Sequence, residues 1–474
     1  MKQRKLLILL SLTLLIIASS CATTDVKQEQ ADYLEQKVRE NPNIIELYLY
    51  LIDYYWNEQA DLANSLRIAN LCVENNANKP KAHILAAQTL YNTGFEKEAE
   101  SFLRRRIAER KNSEAVMLLA SNLREEARFT EARELLTTEI SGKLNELSEE
   151  QKEFSELQKL EFARIDFAEK KYDDSKNKLQ NLMQNSSKPQ IINAAGCLMI
   201  KILVAEENFE GVVETSEKIL EQPSISAEFI ELLAYSYIYF KEHHELANVL
   251  VKVYKKVQDV QLKQTIMFQL VLNEILREDT EEALSYVKLG LELKPVFAPF
   301  LIFDYYLNYY KFEDKDADEL EAKRETLISY DIQYFKGPEK FENFRDILYG
   351  NLLRYLNLFD QAEEVYTKIL DEQPDLTWLM LALAELSIDR QNYTDAVFWF
   401  AKVTSLNIKN SELFCQIGDC MLKLGELDKA KSAFESALKE YPENPRALKG
   451  IAIVRVKSGE FKVEDKFPSL FAAY

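Results

Sequence analysis

The chain has 474 residues, of which 47% are hydrophobic and 29% charged, so it can build a packed core and lacks the composition of a disordered protein. Only 11 residues are glycine, which argues against a β-rich fold with many tight turns and against glycine-rich phosphate-binding loops. The net charge of −19 disfavours nucleic acid and anionic lipid headgroups as partners, because like charges repel.

The first 20 residues have the pattern of an export signal. Three basic residues between positions 2 and 5 precede an apolar run at residues 6–18. As a helix this run spans about 20 Å, short of the ~30 Å bilayer core, so it favours a signal peptide over a membrane span. Residues 17–21 read IASSC, which resembles the lipobox of bacterial lipoproteins, although Ala18 stands where that family commonly has leucine. The resemblance implies that Cys21 is acylated and becomes the mature N-terminus.

Acylation of Cys21 would anchor the protein to a membrane, since each buried methylene contributes ~0.8 kcal/mol. Ala22, rather than aspartate, follows the cysteine, and under the Gram-negative sorting rule this implies the periplasmic side of the outer membrane. We therefore expect a signal peptide at residues 1–20 and a lipidated polar tether at residues 21–30. An ordinary secretory signal with a coincidental cysteine is the alternative.

Residues 31–474 are almost continuously helical in pattern, and one unit stands out. Residues 411–444 read SELFCQIGDCMLKLGELDKAKSAFESALKEYPEN, which resembles the tetratricopeptide repeat, a helix pair of about 34 residues. Gly418 and Ala430 occupy the positions where the two helices pack closest, and Phe434 the position that fills the space against the next unit. The resemblance implies an all-α fold, a right-handed superhelical solenoid of antiparallel helix pairs.

The small residue of the second helix recurs along the chain. Ala396 and Ala362 precede Ala430 at steps of 34 residues, and about eleven helix pairs are expected in all. The period fails at residues 297–342, where an aromatic helix and an insertion interrupt it, and residues 445–474 are expected to form a degenerate C-terminal cap. The remaining small positions predicted upstream are Ala63, Ala99, Ala132, Ser175, Val212, Ala247 and Ala283.

The search for catalytic chemistry is negative. The sequence contains no H-E-x-x-H, no phosphate-binding G-x-x-x-x-G-K-[ST] and no G-x-S-x-G motif. His243 and His244 are adjacent in a predicted turn, and a metal there would need a third ligand from elsewhere. We predict that the protein is not an enzyme, with no catalytic residue, cofactor or metal site.

Two further groups of residues are interpreted as structural. We expect the basic cluster at residues 104–106, with Arg110 and Lys111, to be a solvated helix face rather than an anion site. Buried free thiols, rather than disulfides, are expected at four positions: Cys72, Cys197, Cys415 and Cys420.

A candidate binding surface follows from the family resemblance. In that family, first-helix positions 2, 5, 9, 12 and 13 of each unit line a concave surface. Here these positions are mainly apolar and aromatic, which is typical of binding hot spots; internal packing of these side chains, or a register one residue off, is the alternative. The candidates are Tyr91, Met117, Phe229, Leu232, Tyr239, Phe240, Phe268, Phe344, Tyr355, Trp378 and Leu381.

These features favour a scaffold or adaptor lipoprotein that holds other envelope proteins or peptides. Contact with the membrane is expected through the lipid anchor only, nucleic acid is not an expected partner, and the oligomeric state is not predicted. The alternative is a lipoprotein that captures a ligand or solute in an aromatic groove.

Overall fold

The computed structural model describes residues 24–110, 113–137, 149–277, 279–309, 350–351, 353–354, 358–374, 376–406, 410–461 and 467–471. These residues contain 23 α-helices and one π-helical turn, and no β-strand occurs among them. Two compact units are present: unit 1 combines Met1–Ile140 with Tyr366–Tyr474, and unit 2 is Ser141–Val365. The all-α class is confirmed, and the single solenoid expected from residue 31 onward stays a prediction.

The N-terminal part of unit 1 is a series of helices joined by short turns, with the π-helical turn Tyr54–Glu58 after the second helix. The first helix begins within the stretch expected to be a polar tether. The helices are α1 (Thr24–Glu40), α2 (Ile45–Asp53), α3 (Leu62–Asn75), α4 (Pro80–Asn92), α5 (Glu96–Arg110), α6 (Ser113–Glu125) and α7 (Phe129–Thr137).

Unit 2 continues the same organisation, in which each helix packs against its neighbours in the chain. Its apolar side chains form one continuous core. Its helices are α8 (Glu149–Ala168), α9 (Tyr172–Asn185), α10 (Pro189–Ala205), α11 (Phe209–Leu220), α12 (Ala227–Tyr239), α13 (His243–Lys256), α14 (Val260–Leu276), α15 (Thr280–Glu292) and α16 (Ala298–Tyr309). The aromatic helix expected from residue 297 corresponds to α16, whereas the insertion at 330–342 lies outside the described residues.

The C-terminal helices return to unit 1. They are α17 (Phe359–Glu372), which contains the boundary between the units, α18 (Thr377–Asp389), α19 (Tyr393–Ser405), α20 (Ser411–Lys423), α21 (Leu427–Glu440), α22 (Pro445–Lys457) and α23 (Pro468–Phe471). No described helix is long and apolar enough to cross a membrane.

The turn inside each helix pair repeats one backbone conformation. Its penultimate residue has a positive φ, as in Gly94 at 90° and Gly425 at 76°. The next amide donates to the carbonyl five residues earlier, as from Glu426 to Met421 at 2.9 Å, which is the Schellman arrangement that ends a helix. Residues other than glycine, with φ between 56° and 64°, fill this position in other turns: Ala127, Lys170, Glu207, Lys241 and Gln391. Ala60 also has a positive φ, but the next amide, that of Asp61, donates to Tyr55 O six residues earlier.

This turn fixes the small buried position of the second helix, which lies four residues after the last residue of the turn. The prediction is confirmed for eight residues that are 0% exposed: Ala99, Ala132, Ser175, Val212, Ala283, Ala362, Ala396 and Ala430. The prediction is wrong in two helix pairs, where a neighbouring residue occupies the small buried position. Ser65, whose amide donates to Asp61 O at 3.0 Å, takes the place expected for Ala63, and Leu246 takes the place expected for Ala247. In the first pair, the Asp61 carboxylate caps α3 and starts the helix later than the spacing suggested.

In both units, glycine lets a helix approach an aromatic ring closely. In unit 1, Phe434 is fully buried, and a Cβ atom placed on Gly418 would lie 2.6 Å from its ring. In unit 2, a Cβ atom on Gly290 would lie 2.6 Å from the ring of Phe300. The predicted roles of Gly418 and Phe434 in packing are therefore confirmed.

The four cysteines are buried and unbridged, as predicted: Cys72, Cys197, Cys415 and Cys420. The basic cluster is not uniformly solvated. Arg104 is exposed and pairs with Glu100 at 2.7 Å, whereas Arg105 is only 7% exposed. The interpretation as a solvated face is wrong for Arg105, because C-terminal residues of the same unit cover it.

Candidate protein-binding surface

Helix α12 of unit 2 separates a buried face from an exposed one. It begins at a cap in which the Ser226 hydroxyl accepts a hydrogen bond from the Phe229 amide at 3.1 Å, and it ends at Tyr239, two residues before the positive-φ residue Lys241. Its buried residues include Phe229 and Leu233. Residues 228, 231, 235 and 239 follow the helical spacing of three and four residues, and none of them is buried. We call Glu228, Glu231, Tyr235, Tyr239 and Phe240 the α12 surface.

The aromatic residues at the end of α12 form a connected chain of rings with the start of α11. Tyr239 is 39% exposed and its ring centroid lies 6.1 Å from that of Tyr235 and 5.1 Å from that of Phe240. Phe209 lies 5.2 Å from Phe240 and 5.1 Å from Tyr237. Because Tyr237 is buried in the core, the exposed Tyr239 is linked to a rigid support and offers a partner a preformed aromatic contact.

The α12 surface carries negative charge beside its rings. Burial and the neighbouring Glu228 raise the pKa of Glu231, while Glu228 pairs with Lys201 of α10 at 3.4 Å. Burial also raises the pKa of the Tyr235 phenol, with a further contribution from Tyr239. The surface therefore suits an apolar group accompanied by a positive charge, which would relieve the repulsion between the two carboxylates.

A second aromatic group lies where α14 meets the segment before α16. The Phe268 ring centroid is 5.8 Å from that of Phe297 and 5.6 Å from that of Phe303. Phe303 is buried and Phe297 is exposed. Phe268 thus joins the core of unit 2 to a second exposed ring.

The structure places the predicted surface residues in different environments. Phe229 is 0% exposed and cannot contact a partner, so its assignment is wrong; Leu232, Phe240 and Phe268 are half-buried against the core of unit 2. On α12 the predicted register is one residue off at Phe229, since the neighbouring Glu228 is exposed in its place.

The other candidates do not join the α12 surface. Tyr91, Met117 and Leu381 are half-buried in unit 1. Phe344, Tyr355 and the lipidation candidate Cys21 lie outside the described residues, and Trp378 lies on α18 in a position whose side chain is not described.

A polar groove in unit 2 was not predicted. Its volume is 720 Å³, and it lies between α9 and α11 with α10 as its floor. One wall carries the carboxamides Asn177, Gln180 and Gln184, the other carries Glu214 and Lys218, and the floor is formed by Ile192, Met199 and Leu203. The predicted surface consists of first-helix positions, whereas the walls of this groove are second helices, so the prediction did not include it.

A second unpredicted feature is an aromatic pair on α19 of unit 1, in which Phe398 is exposed and Trp399 is half-buried. Phe398 is 53% exposed, and its ring centroid lies 5.2 Å from that of Trp399. The Lys402 ammonium lies 4.7 Å from the Phe398 centroid and 4.5 Å from the Trp399 centroid. With Ala396 and Phe400 as buried positions, helical spacing places Phe398 away from the core, which the sequence could have indicated.

Two titratable groups of the kinds that enzymes commonly use have structural partners. His243 Nδ1 lies 2.8 Å from the Asn273 carboxamide oxygen, and the buried Asp166 carboxylate pairs with Lys178 at 2.7 Å. In the part of the chain that the structure describes, no group of three potential metal ligands comes together.

Comparison with known proteins identifies the repeat. A family model of the tetratricopeptide repeat matches residues 416–444. The RNA polymerase-associated protein CTR9 of Caenorhabditis elegans is 27% identical over 99 residues, covering 21% of this chain and 9% of that protein. A CTR9 homolog of Arabidopsis thaliana is 26% identical over 173 residues, covering 35% of this chain and 16% of that protein. The chain thus spans less than a fifth of either relative.

Among solved structures, a tetratricopeptide repeat protein from Parabacteroides merdae aligns with 63% of this chain and 98% of its own, at 13% identity and a TM-score of 0.26. A score this low carries no conclusion. The family match and the helix pairs are sufficient to state that the chain contains a tetratricopeptide repeat within an all-α architecture. The matched family is a repeat family rather than an enzyme family, and repeat surfaces of this kind are suited to binding other proteins.

Proposed function

We propose that this protein is an envelope scaffold that binds other proteins or peptides, and that the α12 surface of unit 2 is its principal contact. The observation that carries the proposal is the exposed Tyr239 ring, supported through Phe240 and Phe209 by the core. Glu228 and Glu231 beside it favour a partner segment that combines an apolar or aromatic residue with lysine or arginine.

Site-specific photocrosslinking in native membranes tests this surface. The full chain would carry a benzophenone side chain in place of Tyr239, and a matched control would carry it in place of Tyr441 in unit 1, which is 50% exposed. We expect a discrete protein adduct from position 239, absent from position 441 and lost when Glu231→Lys is added. Equal adducts from both positions, or an adduct insensitive to the lysine, would exclude the α12 surface as the contact.

Attachment to the envelope is proposed to depend on acylation of Cys21, with the protein held at the periplasmic side of the outer membrane. The support is the signal pattern ending in IASSC. Metabolic labelling with a clickable fatty acid, followed by membrane fractionation, tests it. We expect label on the wild-type chain and neither label nor membrane recovery for Cys21→Ser; an unlabelled wild-type chain would refute the anchor.

Ligand capture is the second candidate, and the α9–α11 groove favours it. Its 720 Å³ volume falls within the ~300–1,000 Å³ of small-molecule sites. Native mass spectrometry of protein purified from its own membranes would decide: a bound small molecule that is lost in Gln180→Ala would support capture. Identical masses for the native and the denatured chain would reject it.

A further inference from the structure

The last described residues of the chain lie on its N-terminal helices within unit 1. Helix α23 has only four residues, and an isolated helix of this length is not stable in water. It must therefore be held in place by its contacts with α3 and α5. We call residues 467–471 the clasp.

Buried polar side chains of α3 and α5 contact the backbone of the clasp. Arg105, 7% exposed, directs Nη2 to the carbonyl oxygens of Ser469 and Leu470 at 3.4 and 3.3 Å, and Arg106 Nη2 lies 3.5 Å from the same Ser469 oxygen. Asn70, 8% exposed, accepts a hydrogen bond from the Ser469 amide at 2.9 Å.

Glu74 completes the polar contacts. The Asn70 side-chain amide donates to the Glu74 carboxylate at 2.7 Å, which orients its oxygen toward the clasp. The Ser469 hydroxyl donates to the same carboxylate at 3.3 Å. Most of these bonds involve main-chain atoms of the clasp, so the surface recognises a peptide backbone in a defined turn rather than a particular polar side chain.

Apolar side chains supply the remaining contacts. Phe467 and Leu470 of the clasp are buried, and the Phe471 ring packs edge-on against Phe95, with centroids 5.2 Å apart. A cavity of 680 Å³ lies beside this contact, lined in part by Phe95, Phe461 and Phe471. The clasp is therefore incompletely enclosed on the side of Phe471, whereas Phe467 and Leu470 are covered.

We propose that the surface formed by Asn70, Glu74, Phe95, Arg105 and Arg106 is a peptide-binding site, and that the clasp is a releasable ligand that occupies it in cis. A tethered segment has an effective concentration in the millimolar range, so the closed state predominates in the free protein. A second peptide with an aromatic–x–x–Leu–aromatic pattern can bind only when the clasp is released. This site is separate from the α12 surface, so either assignment can fail alone.

A labelled peptide with the sequence of residues 467–474 tests the site in trans. Full-length chain with Leu470→Asp and Phe471→Ala, which weaken the clasp, should bind the peptide at least tenfold more tightly than the wild-type chain in fluorescence anisotropy. Adding Arg105→Ala should remove this gain, and adding Arg104→Ala, at the exposed neighbour, should not. Equal binding to wild-type and clasp-weakened chains, or binding insensitive to Arg105→Ala, would overturn the proposal.

Hydrogen–deuterium exchange on the wild-type chain tests release without any substitution. Amides of the clasp should exchange at least tenfold faster than buried amides of α22 under native conditions, because the clasp opens alone. Exchange of the clasp and α22 at one common rate would mean that the clasp opens only on unfolding of unit 1, and the releasable ligand would be excluded.

Discussion

Gly450 lies so close to Phe434 that a Cβ atom at position 450 would stand 2.4 Å from the phenyl Cζ. A Cβ atom on Gly418 would lie 2.6 Å from the same ring, and Phe434 is fully buried. One aromatic side chain thus occupies the space left by two glycines on successive first helices, α20 and α22. The close packing of this repeat depends on both glycines.

Gly450→Ala should therefore destabilise the protein. Alanine would gain up to about 1 kcal/mol in helix propensity, but overpacking of a closed core typically costs ~1–3 kcal/mol. We expect a net loss of about 1 kcal/mol in the free energy of unfolding, measured with urea. Ser432→Ala, at an exposed site on α21, is the control and should change it little. In a double-mutant cycle, Gly450→Ala should lower the free energy of unfolding less in a Phe434→Leu background than in the wild-type chain. Equal effects in the two backgrounds would contradict the proposed clash.

The repeated turn predicts that glycine is favoured at two equivalent positions, so that adding it at one and removing it at the other change stability in opposite directions. Gln391 has φ 60° and Gly425 has φ 76°. A side chain in this region costs ~1–2 kcal/mol, partly offset by its lower entropy in the unfolded chain. Gln391→Gly should raise the free energy of unfolding by roughly 0.5–1 kcal/mol and Gly425→Ala should lower it by a similar amount. Denaturant titration compares the two, and changes of the same sign would disprove the shared turn geometry.

Glu100 predicts a pH-dependent contribution to stability. Arg128 donates to both its carboxylate oxygens at 2.8 and 3.0 Å and, together with Arg104, lowers the pKa of Glu100 despite partial burial. Because the pKa of Glu100 is lower in the folded than in the unfolded chain, its ionised carboxylate stabilises the fold at pH values above the unfolded-state pKa, near 4.5. This stabilisation is lost as the pH falls through the folded-state pKa.

Glu100→Gln should accordingly destabilise the protein by about 0.5–1 kcal/mol at pH 7, and the difference from wild type should shrink below about pH 4. Thermal unfolding followed across pH checks this. Glu210→Gln, an exposed carboxylate on α11, serves as the comparison. A Glu100→Gln defect that persists undiminished in acid would point to packing rather than charge.

The buried thiols predict slow chemical modification. Burial raises the pKa of Cys72, Cys197 and Cys415 to about 12 and that of Cys420 to about 11. Since the thiolate is the reactive form, none of the four should react with iodoacetamide at pH 8 before unfolding.

Mass spectrometry of the labelled peptides gives the result for each site. After denaturation all four should be modified, which verifies that the reagent reaches them. Rapid labelling of any one in the native chain would show that its surrounding helices open, contrary to the packing. Absence of label at Cys21 in both states would fit lipid attachment to its sulfur, because the modified sulfur is no longer a free thiol.

The sequence was informative where one helix pair could be compared with the next. Ala396 and Phe434 were placed correctly because the spacing between repeats carries them into the core. Phe229 was misplaced because an error of one residue in the register moves a residue from the buried to the exposed face of a helix. An aromatic side chain is compatible with either the core or a binding surface, so its type did not reveal the error. The prediction that Ala63 is the small buried residue was wrong for a related reason. The cap at Asp61 sets the start of α3, and the spacing of alanines along the sequence did not indicate this start.

Contacts across large chain separations could not be predicted. Nothing in the arginine run at 104–106 indicates that Arg105 donates a hydrogen bond to the carbonyl oxygen of Leu470, because this contact depends on where two helices far apart in the chain meet. The α9–α11 groove was missed for a similar reason, since its walls come from separate repeats. A local pattern predicts which face of a helix is apolar, but it does not predict the neighbour that covers it.

The discontinuity of unit 1 has a consequence for the order of events during synthesis. Lys457 of α22 donates to Glu96 at 2.9 Å, and residues on both sides of unit 2 complete one core. The ribosome must therefore release all of residues 141–365 before the first helices meet their final neighbours. Unit 2 is contiguous and can fold as it emerges, whereas the surfaces of α3 and α5 that the clasp covers remain exposed until translation has passed residue 471.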